Sequence, residues 1–256
     1  HPLHFLFKYL INFMNKIRLD QLLVNRSLVE SKEKAQKLIY GGLVKVNEIL
    51  STKPGHKFDE DCKITIKQKE KYVSRGGLKF EEAYNKFNLK IKNNICLDIG
   101  SSTGGFTDFM LQHKADRIYA VDCGTNQLHW TLRKNSKIVV MEKTNARYLS
   151  KKEIPELVDL CTIDVSFISL KKILPSVINL INNNGVIVSL IKPQFEAGKD
   201  QIDKGGVVTN PIIHEKVIND IKDFGEKKLN LIWLDFCISP LKGPAGNKEF
   251  FAYWRK

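Results

Sequence analysis

From about Tyr72 onward, short apolar runs rich in β-branched residues alternate with longer amphipathic stretches, and no other feature of the sequence narrows the possible folds as much. The strand-like runs are Ile95–Ile99, Arg117–Val121, Ile138–Met141, Leu160–Ile163, Val186–Ile191, Leu231–Phe236 and Phe250–Trp254. Helical patterns fit between most of them, notably Leu170–Ile181 and Pro211–Lys227. Such alternation predicts an α/β fold: a seven-stranded, mostly parallel sheet covered on both faces. Pro240, Gly243, Pro244 and Gly246 leave no room for a helix between the last two strands, so the last strand is expected to run antiparallel to its neighbour.

The stretch before this pattern reads differently. Leu19, Leu22 and Leu23 recur at helical spacing. Ser31 suits an N-cap, Ala35, Leu38 and Ile39 continue a second apolar face, and Gly41-Gly42 suits a helix end. Leu43–Val46 and Ile64–Ile66 follow as strands, with Pro54-Gly55 as a turn. A small α+β unit over residues 17–71 is therefore expected, with 72–77 as a linker and 78–256 as the large domain. The chain carries a net charge of +13 over 256 residues, which points to nucleic acid or an anionic surface. Between Asn15 and Arg75 there are 14 Lys/Arg against 8 Asp/Glu, so about a quarter of the chain holds nearly half the excess.

His1–Lys16 is apolar and aromatic. It lacks the basic start and small-residue cleavage site of a signal peptide and is too short to span a bilayer. Residues 1–16 are expected to be an extension or expression remnant, with the natural start near Met14. No two of Cys62, Cys96, Cys123, Cys161 and Cys237 form a C-x-x-C pair, so no metal site is expected. Most of these thiols lie in apolar runs, as buried cysteines of a cytoplasmic protein do.

The first strand of the sheet runs into Asp98-Ile99-Gly100-Ser101-Ser102-Thr103-Gly104-Gly105-Phe106. In a doubly wound sheet this is the first strand-to-helix turn, where nucleotides bind. The spacing is G-x-x-x-G-G, not the G-x-G-x-x-G of pyrophosphate binders, and an acid stands two residues before it. An acid there suits a ligand carrying an ammonium or sulfonium group and repels a pyrophosphate. Asp122 ends the next strand, 22 residues after Gly100, where a ribose hydroxyl pair is held. Asn145 follows the third strand, where an adenine edge would lie, and Asp164 ends the fourth. A tight turn and solvated loop ends account for each of these singly, but less readily for the series.

Asp164-Val165-Ser166-Phe167 and Lys192-Pro193-Gln194-Phe195-Glu196 follow the fourth and fifth strands. Lys79 lies just before the sheet and Glu249 starts its last strand. If the four meet, they suit methylation of a ribose 2′-hydroxyl, a weak nucleophile that must be oriented and relieved of its proton. A desolvated lysine beside another cation gives up its own proton more readily and can act as base. Lys192 is expected nearest the 2′-oxygen, Lys79 and Glu249 to orient it, and Asp164 to bridge cofactor and base. The alternative is that Lys79 and Glu249 are ordinary surface charges.

These motifs resemble the TlyA family: Arg18-Leu19-Asp20, Ser74-Arg75-Gly76-Gly77, Asp98 to Asp108, Asp122-Cys123-Gly124, Asp164 to Ser169, Lys192 to Glu196, and Gly246-Asn247-Lys248-Glu249-Phe250. The resemblance covers almost the whole chain after Met14. It implies a Rossmann-like FtsJ-type methyltransferase domain behind an S4 RNA-binding domain, acting on cytidine 2′-hydroxyls of 23S and/or 16S ribosomal RNA with S-adenosylmethionine as cofactor. It implies a catalytic tetrad of Lys79, Asp164, Lys192 and Glu249. It further implies a cofactor site of Asp98, Gly100, Ser102, Thr103, Gly104, Gly105, Phe106, Asp122, Asn145 and Asp164. Asn145-Ala146-Arg147 departs from the pattern, which has a larger aliphatic residue in the middle.

For the small unit, Arg18, Arg26, Lys32, Lys34 and Lys37 are expected to meet RNA phosphates, with Ser31 adding a helix N-terminus and Arg75 joining from the linker. The Lys71–Gly77 joint contains Gly76-Gly77 and could flex, and the sequence leaves open whether RNA binding assembles the tetrad. Three other readings are a membrane-active haemolysin, as the family was long described, a cofactor-binding ribosome-associated protein without turnover, and a different S4-linked enzyme such as a pseudouridine synthase.

Overall fold

A computed structural model describes residues 16–67 and 70–256. Residues 1–15, most of the expected extension, lie outside them. The chain divides into two units, His1–Glu70 and Lys71–Lys256.

In the first unit, helices α1 (Leu19–Asn25) and α2 (Lys32–Tyr40) pack against strands of two or three residues. Ser31 caps α2, its Oγ accepting from the Lys34 amide at 3.2 Å, and the chain leaves the helix through Gly41 and through Gly42 at φ +68°. Strand β1 (Ile17–Arg18) pairs with β4 (Lys57–Phe58), while β2 (Val44–Val46) lies between β3 (Ile49–Leu50) and β5 (Ile64–Ile66). Leu19, Leu22, Leu23, Ala35, Ile39 and Val44 form the core, placed there by the helical spacing of their sequence positions. Strands β1, β3 and β4 escape sequence reading because two residues carry no period.

In the second unit the seven expected strands form one sheet. They are β6 (Ile95–Ile99), β7 (Arg117–Val121), β8 (Ile138–Met141), β9 (Val158–Ile163), β10 (Ile181–Ile191), β11 (Ile232–Ile238) and β12 (Phe250–Arg255). Their order is β11-β12-β10-β9-β6-β7-β8. Strands β6 to β10 run parallel, and β12 is inserted antiparallel between β10 and β11. From β6 the chain first builds outward through β7 and β8 and then crosses to β9. The carboxyl end of β6 is thus a topological switch point, where a doubly wound sheet leaves a crevice.

Alternate residues of these strands feed two cores. Leu97, Ile99, Val121, Cys161 and Ile163 face one side, while Cys96, Ile118, Ala120, Leu160 and Leu190 face the other. Helix α3 (Gly76–Phe87) and helix α4 (Gly105–Gln112) cover the second core, where Phe80 stacks on Phe106 at 4.9 Å. Two short helices follow, α5 (Trp130–Arg133) and α6 (Leu174–Val177). A single turn, α7 (Pro193–Glu196), leaves β10. Helix α8 (Pro211–Leu229) is capped by Asn210 and buries His214, Val217, Ile218, Ile221 and Gly225.

Two expectations need correction. The single helix over Leu170–Ile181 is broken: a 3-10 turn at Leu170–Lys172, α6, a second 3-10 turn at Ile178–Leu180, and then β10 from Ile181. Pro175 cannot donate a backbone hydrogen bond and restarts the helix, and the Asn182–Asn184 run is a poor helix former, with Asn184 at φ +65°. The Gly76-Gly77 joint is not a free hinge. It opens α3 and packs directly on Gly105, so a Cβ at Gly105 would stand 2.7 Å from the Gly77 nitrogen and 2.9 Å from Gly76 Cα. Glycine is needed there for close backbone approach.

Candidate active site

The loop after β6 is drawn tight by its own backbone. The amides of Gly100 and Ser101 both donate to the Val121 carbonyl, at 2.8 and 3.1 Å, and the Gly104 amide donates to Ser101 at 2.7 Å. Gly100 has φ +79°, and a Cβ there would lie 2.1 Å from the Asp164 carbonyl oxygen, so no larger residue fits. Asp122, at the end of β7, accepts from the Ser102 amide at 2.8 Å and the Gly124 amide at 2.7 Å. Its carboxylate is thereby fixed, with further lone pairs left to accept from hydroxyls.

Asp98 does not stand open to a ligand as its place beside the loop suggested. It is buried beneath the loop, accepting from Thr107 Oγ1 at 2.6 Å and Thr162 Oγ1 at 2.8 Å. Burial pushes its carboxyl up to about 6, against the two hydroxyls that favour its charged form. Phe106 is likewise mainly a core residue, though both side chains reach the edge of the crevice.

Two adjoining cavities share Gly100, Ser102 and Asp164. The larger, about 550 Å³, is walled by Asp122, Cys123, Thr144, Asn145, Ala146 and Ile173, a polar and apolar mixture that fits a nucleoside. Asn145 also caps the turn that follows it, its side chain accepting from the Arg147 amide. The smaller, about 270 Å³, is walled by Ser74, Arg75, Gly76, Lys79, Thr103, Gly105 and Leu241. Helices α3 and α4 both begin at this cavity, and their N-terminal amides favour an anionic group. A ligand that is a nucleoside at one end and an amino acid at the other matches this pair of cavities. Gly104 (φ +97°) completes the turn into α4.

The four expected reactive groups form two ion pairs. Lys79 Nζ lies 2.7 Å from Glu249 Oε2, joining positions 170 residues apart. Lys192 Nζ lies 2.6 Å from Asp164 Oδ1 and donates to Ser166 Oγ at 3.0 Å. Side-chain exposures of 14 % for Lys79 and 1 % for Glu249 remove the surface-charge alternative. Both pairs lie within the second unit and are formed there without any other partner. Asp164 stands at the border of the two cavities, and Lys79 faces the smaller one.

Several residues of the site were not singled out in sequence. Ser166 and Glu196 sit inside the quoted motifs, but only the fold shows what they bond. Glu196 accepts from Ser169 Oγ at 2.6 Å and from the Leu170 amide at 2.7 Å. Asn247 is buried and bonds Val208 N and Gly206 O, tying the loop before α8 to the loop that carries Glu249. Glu142, after β8, accepts from the amides of Asn126, Gln127 and Leu128 and from Arg133, and so holds the rim of the larger cavity. Phe167 is 90 % exposed at φ +63°, its ring 5.0 Å from that of Phe195.

In the first unit the picture shifts. Arg18 is committed to the buried Asp20, with bonds of 3.0 and 2.7 Å, and Arg26 donates to the carbonyls of Cys62 and Glu60. Both arginines are therefore tied into the fold, while Lys32, Lys34 and Lys37 are exposed on α2, Lys34 being paired with Glu30 at 2.8 Å. Arg75 lies beside the smaller cavity. Among the described residues no helix is long and apolar enough to cross a membrane, and no cluster of His, Cys, Asp or Glu could hold a metal ion.

Comparison with known proteins agrees with this geometry. Residues 72–256 match the model of FtsJ-like methyltransferases, and residues 17–61 match that of S4 domains. The chain is 37 % identical to the 16S/23S rRNA (cytidine-2'-O)-methyltransferase TlyA of Mycobacterium tuberculosis, over 94 % of this chain and 90 % of that protein. It is 42 % identical to Hemolysin A of Brachyspira hyodysenteriae, over 93 % of this chain and 99 % of the other. A solved structure described as a hemolysin from Streptococcus thermophilus is 43 % identical and superposes with a TM-score of 0.72, covering 95 % of this chain and 89 % of that one.

Proposed function

The chain belongs to the TlyA family, an S4 domain joined to an FtsJ-like methyltransferase domain, and from that premise we propose that it is an S-adenosylmethionine-dependent methyltransferase acting on the 2′-hydroxyl of cytidine in ribosomal RNA. The observation that carries this reading is the meeting of Lys79–Glu249 and Lys192–Asp164 beside the Gly100 loop. Two lysines and two acids suit a hydroxyl acceptor better than a ring nitrogen, which already carries its nucleophilic lone pair.

Bound S-adenosylmethionine supplies a methyl group made electrophilic by its sulfonium. Asp122 would hold the ribose hydroxyls, Asn145 and Ala146 the adenine, and the N-termini of α3 and α4 the carboxylate. Lys192 is pinned between Asp164, which stands at the border of the cavities, and Ser166, and the acceptor oxygen would approach its Nζ there. The 2.6 Å contact to Asp164 gives a proton route: Lys192 passes a proton toward the carboxylate as it takes the one leaving the hydroxyl. Phe167, a flat apolar ring beside Asp164, offers a stacking surface for a base turned out of its RNA strand. The exposed lysines of α2 supply phosphate contacts, and ribosomal subunits in the cytoplasm are the partners.

The test is transfer of labelled methyl groups from S-adenosylmethionine to unmodified ribosomal subunits, with the product nucleoside identified after digestion. Label on cytidine ribose is expected, and no label on RNA refutes the reading. A haemolysin predicts vesicle leakage instead, and a pseudouridine synthase predicts no cofactor binding.

A further inference from the structure

Asp164 to Leu170, after β9, and Lys192 to Glu196, after β10, run side by side and are joined by three rungs. At one end Lys192 bonds Asp164 and Ser166. In the middle the rings of Phe167 and Phe195 meet at 5.0 Å. At the far end the Glu196 carboxylate uses one oxygen for Ser169 Oγ at 2.6 Å and the other for the Leu170 amide at 2.7 Å. The reaction itself has no use for Glu196, and neither cavity includes it.

The middle of the first segment cannot hold itself. Phe167 has a φ of +63°, unfavourable for a bulky side chain, and at 90 % exposure no burial compensates. Its conformation must be imposed by what grips the segment on either side. Lys192 grips Asp164 and Ser166, before it; Glu196 grips Ser169 and Leu170, after it. We propose that Glu196 is a positioning residue for methyl transfer, clamping the Asp164–Leu170 segment onto the Lys192–Glu196 segment and so setting where Asp164, Ser166 and Phe167 stand. This rests on the methyltransferase reading for its catalytic consequence but not for the clamp.

Both groups that Glu196 meets are donors, a hydroxyl and an N–H, as a carboxylate requires. Burial raises its carboxyl above the usual range, and the Ser169 hydroxyl and Leu170 amide oppose that shift, with Lys171 on the same turn also favouring the charged form. The Ser169 oxygen has a second duty: it accepts from the Lys171 amide at 3.2 Å and so starts the turn that leads away from the site. Glu196 thereby fixes the segment where it enters regular structure.

The full-length protein is compared with Glu196→Gln, Glu196→Ala and Ser169→Ala. The measurements are single-turnover methyl transfer, S-adenosylmethionine affinity and hydrogen exchange at the Leu170 amide. Glu196→Ala is expected to slow transfer at saturating cofactor about 10- to 100-fold and to speed Leu170 exchange about tenfold or more. Glu196→Gln, whose amide oxygen can still accept from Leu170, should recover both to within about threefold. Ser169→Ala loses the Lys171 cap and one Glu196 contact but keeps the Glu196–Leu170 bond, and should slow transfer less than Glu196→Ala. A wild-type rate or unchanged Leu170 exchange in Glu196→Ala overturns the proposal. So does a glutamine variant as slow as alanine. If the wild type transfers no methyl group, the functional reading fails separately, and Leu170 exchange still decides the clamp.

Discussion

The two halves of the sheet's carboxyl edge are built by different means. On the side of β7 and β8, the acids that shape the larger cavity are held chiefly by backbone amides. Asp122 is held by Ser102 and Gly124, and Glu142 by Asn126, Gln127 and Leu128. Such donors are fixed once the loops close, and they lose no side-chain freedom. On the side of β9, β10 and β12, the reactive groups are held by one another. Lys79 depends on Glu249, and Lys192 on Asp164 and Ser166, through long side chains from distant segments. The side proposed for the cofactor is thus shaped largely by local chain geometry, whereas the side proposed for the acceptor depends on contacts between distant segments.

The largest break in this comparison should come from Lys192→Ala. It removes the centre of the side-chain network and should lower the rate of methyl transfer about 10³-fold, in the range expected for loss of a proton-handling group. Calorimetry should show S-adenosylmethionine affinity nearly unchanged, and retained activity would remove Lys192 from the role assigned to it. Gly100→Ala strikes the point where the halves touch, because its Cβ would meet the Asp164 carbonyl. A loss of about 2–3 kcal/mol in unfolding free energy is expected, together with failure of both cofactor binding and transfer. Asp122→Ala frees two backbone amides and should weaken cofactor binding by about 1–3 kcal/mol while leaving single-turnover chemistry at saturation close to wild type. A collapse of that saturated rate would erase the proposed division.

The smallest effect concerns pH. Asp98 titrates at about 6 in the folded protein, above its ordinary 3.8. A raised acid is charged at a cost in the fold, so this group costs stability above its ordinary value and that cost is relieved as pH falls through 6 toward 4. Its charge favours a cationic ligand group, so cofactor affinity should run the other way, about tenfold weaker at pH 5 than at pH 7.5. Asp98→Asn should flatten that dependence, and an unchanged pH profile would separate Asp98 from the cofactor.

Much of this edge can be read in sequence because strand ends are local. Ile95–Ile99 and Arg117–Val121 stand as expected, and so the residues after them fall at the crevice. Pairing is not local: nothing in the spacing of Lys79 and Lys192 tells which lysine meets which acid. Arg18 and Arg26 show the same limit, since cations near a helix look free until their carboxylate and carbonyl partners arrive from elsewhere. Pro175 did carry a legible signal, a break in the Leu170–Ile181 pattern that apolar periodicity hides. Gly76-Gly77 illustrates a pattern with two meanings, since paired glycines serve a hinge and a tight helix contact alike.

That helix contact bears on how such an enzyme can change over generations. Lys79 lies one turn beyond the place where Gly76 and Gly77 meet Gly105, so the lysine and the start of the cofactor helix are inherited as one rigid piece. A lineage cannot respace Lys79 for a new acceptor without disturbing the methyl donor's own seat. Divergence toward other nucleotides therefore has its more open ground at the rim around the exposed Phe167 ring, which is not packed against the cofactor helix.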